Sequence, residues 1–174
     1  MTLPVRDSRG FTLIELLVVI AIVAVIAAVV ILMINPLEIL KKTRDSTRLA
    51  DLKGLMNSIE VGMQDAAGNP GAYLCHSPAT APCSGASNAL GNMRINNGTG
   101  WVKINFSGIS NVTVVTLPID PTNDSTHFYT YSSDGSKYEL NTVLEGQQNQ
   151  SLMQNDGGDN PNVYEVGSSL TLIN

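Results

Sequence analysis

The chain has 174 residues, a formal net charge of -5 and two cysteines. That length allows one modest domain beside a membrane helix. From Ala66 onward only Arg94, Lys103 and Lys137 oppose eight acids, which argues against a nucleic-acid binder, because such proteins cluster lysine and arginine against phosphates.

Met1 to Gly10 form a short polar leader. From Phe11 to Ile34 the sequence is almost wholly apolar, and Glu15 is the only charge in the run. As a helix this run reaches ~36 Å, enough to cross a hydrocarbon core of ~30 Å. A carboxylate at mid-bilayer costs ~2.5–3.5 kcal/mol on insertion scales. Glu15 sits about one turn from the start, where the cost is lower, yet it still requires a reason. An uncleaved anchor is one bland account. A secretory signal fits less well, because its apolar core is shorter and a small-residue cut site follows it.

The stretch Arg9-Gly10-Phe11-Thr12-Leu13-Ile14-Glu15 resembles the class III signal sequence of type IV pilins and type II secretion pseudopilins. In that family a membrane-embedded prepilin peptidase cuts after the glycine and N-methylates the new first residue. The resemblance places the cut between Gly10 and Phe11, makes Phe11 the methylated terminus, and gives Glu15 the role of the assembly glutamate. Its carboxylate would then neutralise the Phe11 amine of a neighbouring subunit. Burying both charges gains little net stability, whereas removing one leaves the other uncompensated, so the pair sets register. Arg6 and Arg9 precede the apolar run while Lys41, Lys42 and Arg44 follow it. The positive-inside rule therefore gives no clear orientation, and the leader motif implies a cytoplasmic leader with the bulk of the chain outside.

Residues 35–68 are expected to be an amphipathic helix. Asn35 suits a cap, Pro36 the first helical position, and Glu38 the capping-box position. Leu49, Leu52, Leu55, Met56, Ile59 and Met63 recur at three- and four-residue steps and predict a stripe packed under a sheet. Glu38 with Lys42, and Lys41 with Asp45, read as opposite-charge pairs on the wet face. Gly68-Asn69-Pro70-Gly71 ends the helix.

Residues 69–100 read as a long connecting loop pinned by Cys75 and Cys83. In an exported domain an even cysteine count at close spacing reads as a disulfide. Zinc with His76 lacks a recognisable fourth ligand, and a Cys–His nucleophile is disfavoured because adjacent residues point apart. Residues 101–174 are expected to supply an antiparallel sheet and a C-terminal loop. Trp101–Phe106, Val112–Leu117, Phe128–Tyr131 and Tyr138–Thr142 carry strand patterns, and Asp134-Gly135 is a hairpin signal. Val163–Val166 and Leu170–Ile173 suggest a last strand or a tail clipped onto the domain. The order Leu117-Pro118-Ile119-Asp120-Pro121, Tyr129-Thr130-Tyr131, Asp134-Gly135, Tyr138-Glu139-Leu140 resembles the C-terminal part of major pseudopilins. Gln147 to Asn162 reads as a solvated loop; the resemblance adds a calcium loop with Asp156 and Asp159 as oxygen ligands.

These readings combine into an α+β chain: a leader (1–10), a transmembrane and fibre-core helix (11–34), an amphipathic helix (35–68), a connecting loop (69–100), and an antiparallel sheet with a C-terminal loop (101–174). The resemblance implies a non-enzymatic subunit of a homo-oligomeric type IV pilus-like filament. It waits in the inner membrane and assembles into an extracellular or periplasmic fibre. The implied partners are a prepilin peptidase, a membrane platform protein and an assembly ATPase. A type II secretion pseudopilin is the alternative within the class, and a non-assembling membrane-anchored binding module the alternative outside it.

Overall fold

The computed structural model describes residues 10–173, with the exception of 67, 92, 110 and 113. Nine of the ten leader residues therefore lie outside the described residues. The chain divides into two units, Met1–Ile39 and Leu40–Asn174.

The first unit holds helix α1, Leu13–Ile34, which ends at Asn35 in the left-handed region, at φ 46°. Asparagine tolerates that conformation better than most residues. The Asn35 carbonyl then accepts from the Glu38 and Ile39 N–H groups, starting helix α2 at Pro36. Helix α2 runs Pro36–Asp65, and the division between the units falls within it. The sequence break at Asn35-Pro36 is thus a change of helix, with Pro36 at the first helical position as expected and Asn35 closing α1 as its C-cap.

In the second unit four antiparallel strands, β1 (Cys83–Ala86), β2 (Thr130–Ser133), β3 (Tyr138–Thr142) and β4 (Tyr164–Gly167), pair in chain order. Period-two alternation gives the sheet two faces. Tyr131, Tyr138 and Leu140 turn toward α2, where Leu52, Leu55 and Ile59 are buried, as the stripe predicted. Met56 and Met63 are partly buried at the edge of the same core. Two tyrosines tie helix to sheet: the Tyr129 hydroxyl donates to Asp51 at 2.8 Å and the Tyr138 hydroxyl to Glu60 at 2.6 Å. Such bonds let large aromatics bury their rings without orphaning the hydroxyl.

Three expectations need correction. Trp101–Phe106 is not a strand: buried Val102, Ile104 and Phe106 do alternate with half-buried Lys103 and Asn105, but the main chain bonds to loop residues, Lys103 O accepting from His76 N–H and Phe106 N–H donating to Asn96 O, and Phe106–Gly108 form a 3-10 turn. None of the described residues of 112–117 is in a strand either. Their main-chain groups bond to a loop instead, with Leu117 N–H donating to Arg94 O and Val114 O accepting from Asn96 Nδ2. Thr113 lies outside the described residues. Finally, the connecting loop is not structureless, since it holds a short helix α3 (Pro70–Leu74) and strand β1. A further short helix, α4 (Gln150–Gln154), lies in the stretch expected to be a solvated loop.

Cys75 and Cys83 are joined in a disulfide with Cα atoms 5.9 Å apart. The bond ties the end of α3 to the start of β1. Closing so short a loop contributes ~2.5 kcal/mol in the chain-entropy model.

Candidate functional site

The sequence concentrates its chemistry at the start of α1. Thr12 is the N-cap, with φ -79° and ψ 151°. Its Oγ1 accepts from Glu15 N–H at 3.2 Å, while Glu15 Oε2 accepts from both Thr12 N–H and Thr12 Oγ1–H at 3.1 Å. This reciprocal arrangement is a capping box, and it satisfies two N–H donors that a helix start otherwise leaves open. The negative charge also lies at the positive end of the helix dipole. Within a single chain, then, Glu15 is held by its own Thr12.

Gly10 is exposed, and a Cβ built on it would meet nothing within 4 Å. Packing among the described residues does not require glycine there. The residue suits close approach by another molecule, as a protease needs at a cut site. Phe11 beside it is 86% exposed. Leu13–Ile31 forms a 19-residue span long and apolar enough to cross a membrane, with none of it buried within the chain. A surface that apolar and continuous requires a lipid or protein partner.

The second unit brings charged residues together that sequence reasoning kept apart. Asp45, expected on the wet face with Lys41, is fully buried. Its carboxylate accepts from the Glu145 and Gly146 N–H groups and from Asn149 Nδ2. Arg48 is also fully buried and uses all five guanidinium N–H donors. Nε and Nη2 hold Asp120 at 2.6 and 2.9 Å, Nη1 holds Asp45 and Glu145 at 2.8 and 2.6 Å, and Nη2 also reaches Thr122 at 3.1 Å. Arg44 adds a two-pronged pair to Glu145. Hydrogen bonds from Arg44, then from Arg48, hold the Glu145 carboxyl down at about 2. The cluster fastens α2 to the Leu117–Pro121 segment and to the turn after β3. The only local hint was the three-residue spacing of Asp45 and Arg48 on a helix.

Asp156 gives its two oxygens to the Gly158 and Glu165 N–H groups, and Asp159 is exposed. No group of three or more His, Cys, Asp or Glu side chains is placed for a metal among the described residues.

The family model for the prokaryotic N-terminal methylation motif matches residues 5–31. The chain therefore carries that motif on an apolar, membrane-spanning type of helix ahead of an α+β domain. This combination is consistent with the type IV pilin and pseudopilin family, and the matched motif belongs to a structural rather than an enzymatic class. The motif implies processing by a prepilin peptidase and pilus-type assembly, and its apolar helix fits membrane anchoring. Neither the curated proteins nor the solved structures compared with the chain include a match.

Proposed function

We propose that the chain is the structural subunit of a type IV pilus-like filament. Prepilin peptidase removes residues 1–10 and methylates Phe11, and the mature subunit rests in the inner membrane until a platform protein and an assembly ATPase draw it into the fibre. The α1 helices then form the fibre core and the acidic domains its surface. One observation carries this reading: the methylation motif runs directly into an apolar helix that the chain leaves uncovered. A fibre core supplies that cover from neighbouring copies.

The mature chain is expected to begin at N-methyl-Phe11, which intact-mass and N-terminal peptide mass spectrometry will read directly. Retention of residues 1–10 in cells with active peptidase would exclude the processing step. Electron microscopy of cells with and without the gene then separates the pilus from a secretion pseudopilin. Loss of long surface filaments on deletion supports the pilus; loss of protein secretion with surface filaments unchanged supports the pseudopilin.

A further inference from the structure

Asparagine followed two residues later by serine or threonine occurs five times, at Asn97, Asn105, Asn111, Asn123 and Asn149, always in the second unit. In an exported domain that triplet is the acceptor signal for an asparagine-linked saccharide. The signal is short and also arises by chance, so the fold decides which asparagine has its amide nitrogen to spare. Asn149 Nδ2 donates to the buried Asp45 at 2.8 Å. Asn123 Nδ2 donates to Ser87 O at 3.2 Å, while its Oδ1 accepts from Ser87 Oγ–H. These two amides hold the fold together. Asn111 Nδ2 lies 3.4 Å from Asp65 Oδ2, and Thr113 of its triplet is outside the described residues.

Asn97 and Asn105 are arranged differently. Each turns its side-chain oxygen onto the residue two ahead. Asn97 Oδ1 accepts from Thr99 N–H at 3.1 Å and from Thr99 Oγ1–H at 2.7 Å. Asn105 Oδ1 accepts from Ser107 N–H at 3.1 Å and from Ser107 Oγ–H at 2.6 Å. Among the described residues neither Nδ2 has a hydrogen-bond partner, so the nitrogen that would carry a saccharide is free in both. The two triplets lie side by side, because Asn97 and Asn105 form an isolated antiparallel bridge.

Burial separates the two. Asn105 is half-buried, and the middle residue of its triplet, Phe106, is 2% exposed in the core. An enzyme gripping that triplet must first pull an aromatic ring into water. Asn97 and Thr99 are both exposed, and the residue between them is Gly98, with no side chain to extract. Gly98 has φ 91°, and a Cβ built on it would lie 2.7 Å from the His76 ring. Glycine thus lets the loop close against His76 with Asn97 and Thr99 left on the outside.

We infer that Asn97 is the acceptor of an asparagine-linked saccharide and that Thr99 presents it. The donor class is a saccharide joined to a lipid through pyrophosphate. In the transfer Nδ2 forms a bond to the sugar C1, and the C1–O bond to phosphate breaks. The lipid pyrophosphate leaves with the electron pair, and the amide gives one proton to a base of the transferase. The two bonds to Thr99 involve only Oδ1, so the loop keeps them after modification. The attached saccharide places a bulky, hydrated group on the surface of an acidic domain. Such a transfer presupposes the export proposed above.

The test is peptide mapping by mass spectrometry on the full chain, purified without reductant from the cells that make it. The peptide containing Asn97 is expected to carry a saccharide mass. An amidase that cleaves asparagine-linked saccharides is expected to remove it and leave aspartate at that position. Asn97→Gln and Thr99→Ala are expected to lose the modification, and Thr99→Ser to keep it. The Cys75–Cys83 bond, read in the same map, reports export and folding on its own, since disulfides persist in oxidising compartments. With that bond formed, a bare wild-type Asn97 would overturn the inference. So would a saccharide that persists in Thr99→Ala, or one linked to Thr99 instead of Asn97. A bare Asn97 with both cysteines as free thiols would overturn it at the earlier step, by removing the export it requires.

Discussion

Replacing Arg48 with methionine is expected to cost the domain ~3–5 kcal/mol, because it leaves buried carboxylates uncompensated. Asp45 and Asp120 have fully buried side chains and the Glu145 side chain is only 11% exposed. Methionine matches the arginine stem in length and supplies none of its five donors. For a chain of this size the loss corresponds to a fall in melting temperature of roughly 10 °C or more. Arg44→Met is the control, since the Arg44 side chain is 35% exposed and holds Glu145 alone; its loss is expected to cost ~1 kcal/mol or less. Thermal melts of the two variants in detergent decide the matter. Equal melting temperatures would show that the Arg48 cluster is not what fastens α2 to the loops.

The same cluster fixes the sign of the acid response. Glu145 is held below its ordinary value of 4.5, at about 2, chiefly by Arg44. Asp120 is also lowered: burial opposes ionisation, but bonds from Arg48, Thr122 and Asn123 outweigh it. A carboxyl depressed in the folded state contributes stability at pH values above its unfolded pKa, and that contribution disappears as pH falls toward the folded value. The loss therefore begins near pH 4.5 and runs down to about 2. Glu165 acts in the opposite sense, its contribution weakening as pH rises toward 7.

Legibility from sequence followed the range of the interactions. The processing motif is read locally by an enzyme, so Gly10, Phe11 and Glu15 stand out without any fold. The β2–β3 hairpin was also legible, because Asp134-Gly135 and the flanking alternation act over a few residues. Trp101–Phe106 misled because Val102, Ile104 and Phe106 alternate, while Trp101, next to Val102, is buried as well. Alternation does not by itself make a strand, because the main chain also needs a neighbouring strand to pair with, and here Lys103 O and Phe106 N–H bond to His76 and Asn96 instead. The Arg48 cluster was hidden by distance, since its partners Asp120 and Glu145 lie 72 and 97 residues away. Glu139 and Glu165 alternate with apolar neighbours and so look like wet-face residues; only tertiary contacts reveal otherwise, Leu172 and Ile173 N–H donating to Glu139 and Asn160 N–H to Glu165.

Glu15→Gln is expected to be cleaved and inserted normally yet to lower fibre yield as severely as Glu15→Ala. The two variants separate two jobs that one carboxylate performs. Glutamine still serves the capping box with Thr12, because that motif takes Glu or Gln at this position; alanine does not. Neither can neutralise a cationic amine. If assembly depends on the Phe11 amine of a neighbouring subunit, both variants leave that amine buried without a counter-charge, at ~3–5 kcal/mol. At ~1.4 kcal/mol per factor of ten, yield falls about a hundredfold or more. If assembly depends only on helix capping, glutamine restores it, and the loss in Glu15→Ala reflects a cap worth ~1 kcal/mol. Thr12→Val completes the set: it removes the hydroxyl that Glu15 N–H reaches at 3.2 Å but keeps the charge, and it is expected to assemble. Sheared-fibre yields measured beside mature-subunit levels in the membrane give the readout. Normal fibres from Glu15→Gln would reduce Glu15 to a capping residue and remove the intersubunit charge pair. In the single chain Thr12 engages only Oε2 of the Glu15 carboxylate, so if assembly pairs the carboxylate with a neighbour's amine, Oε1 is there to take that role while the cap stays in place.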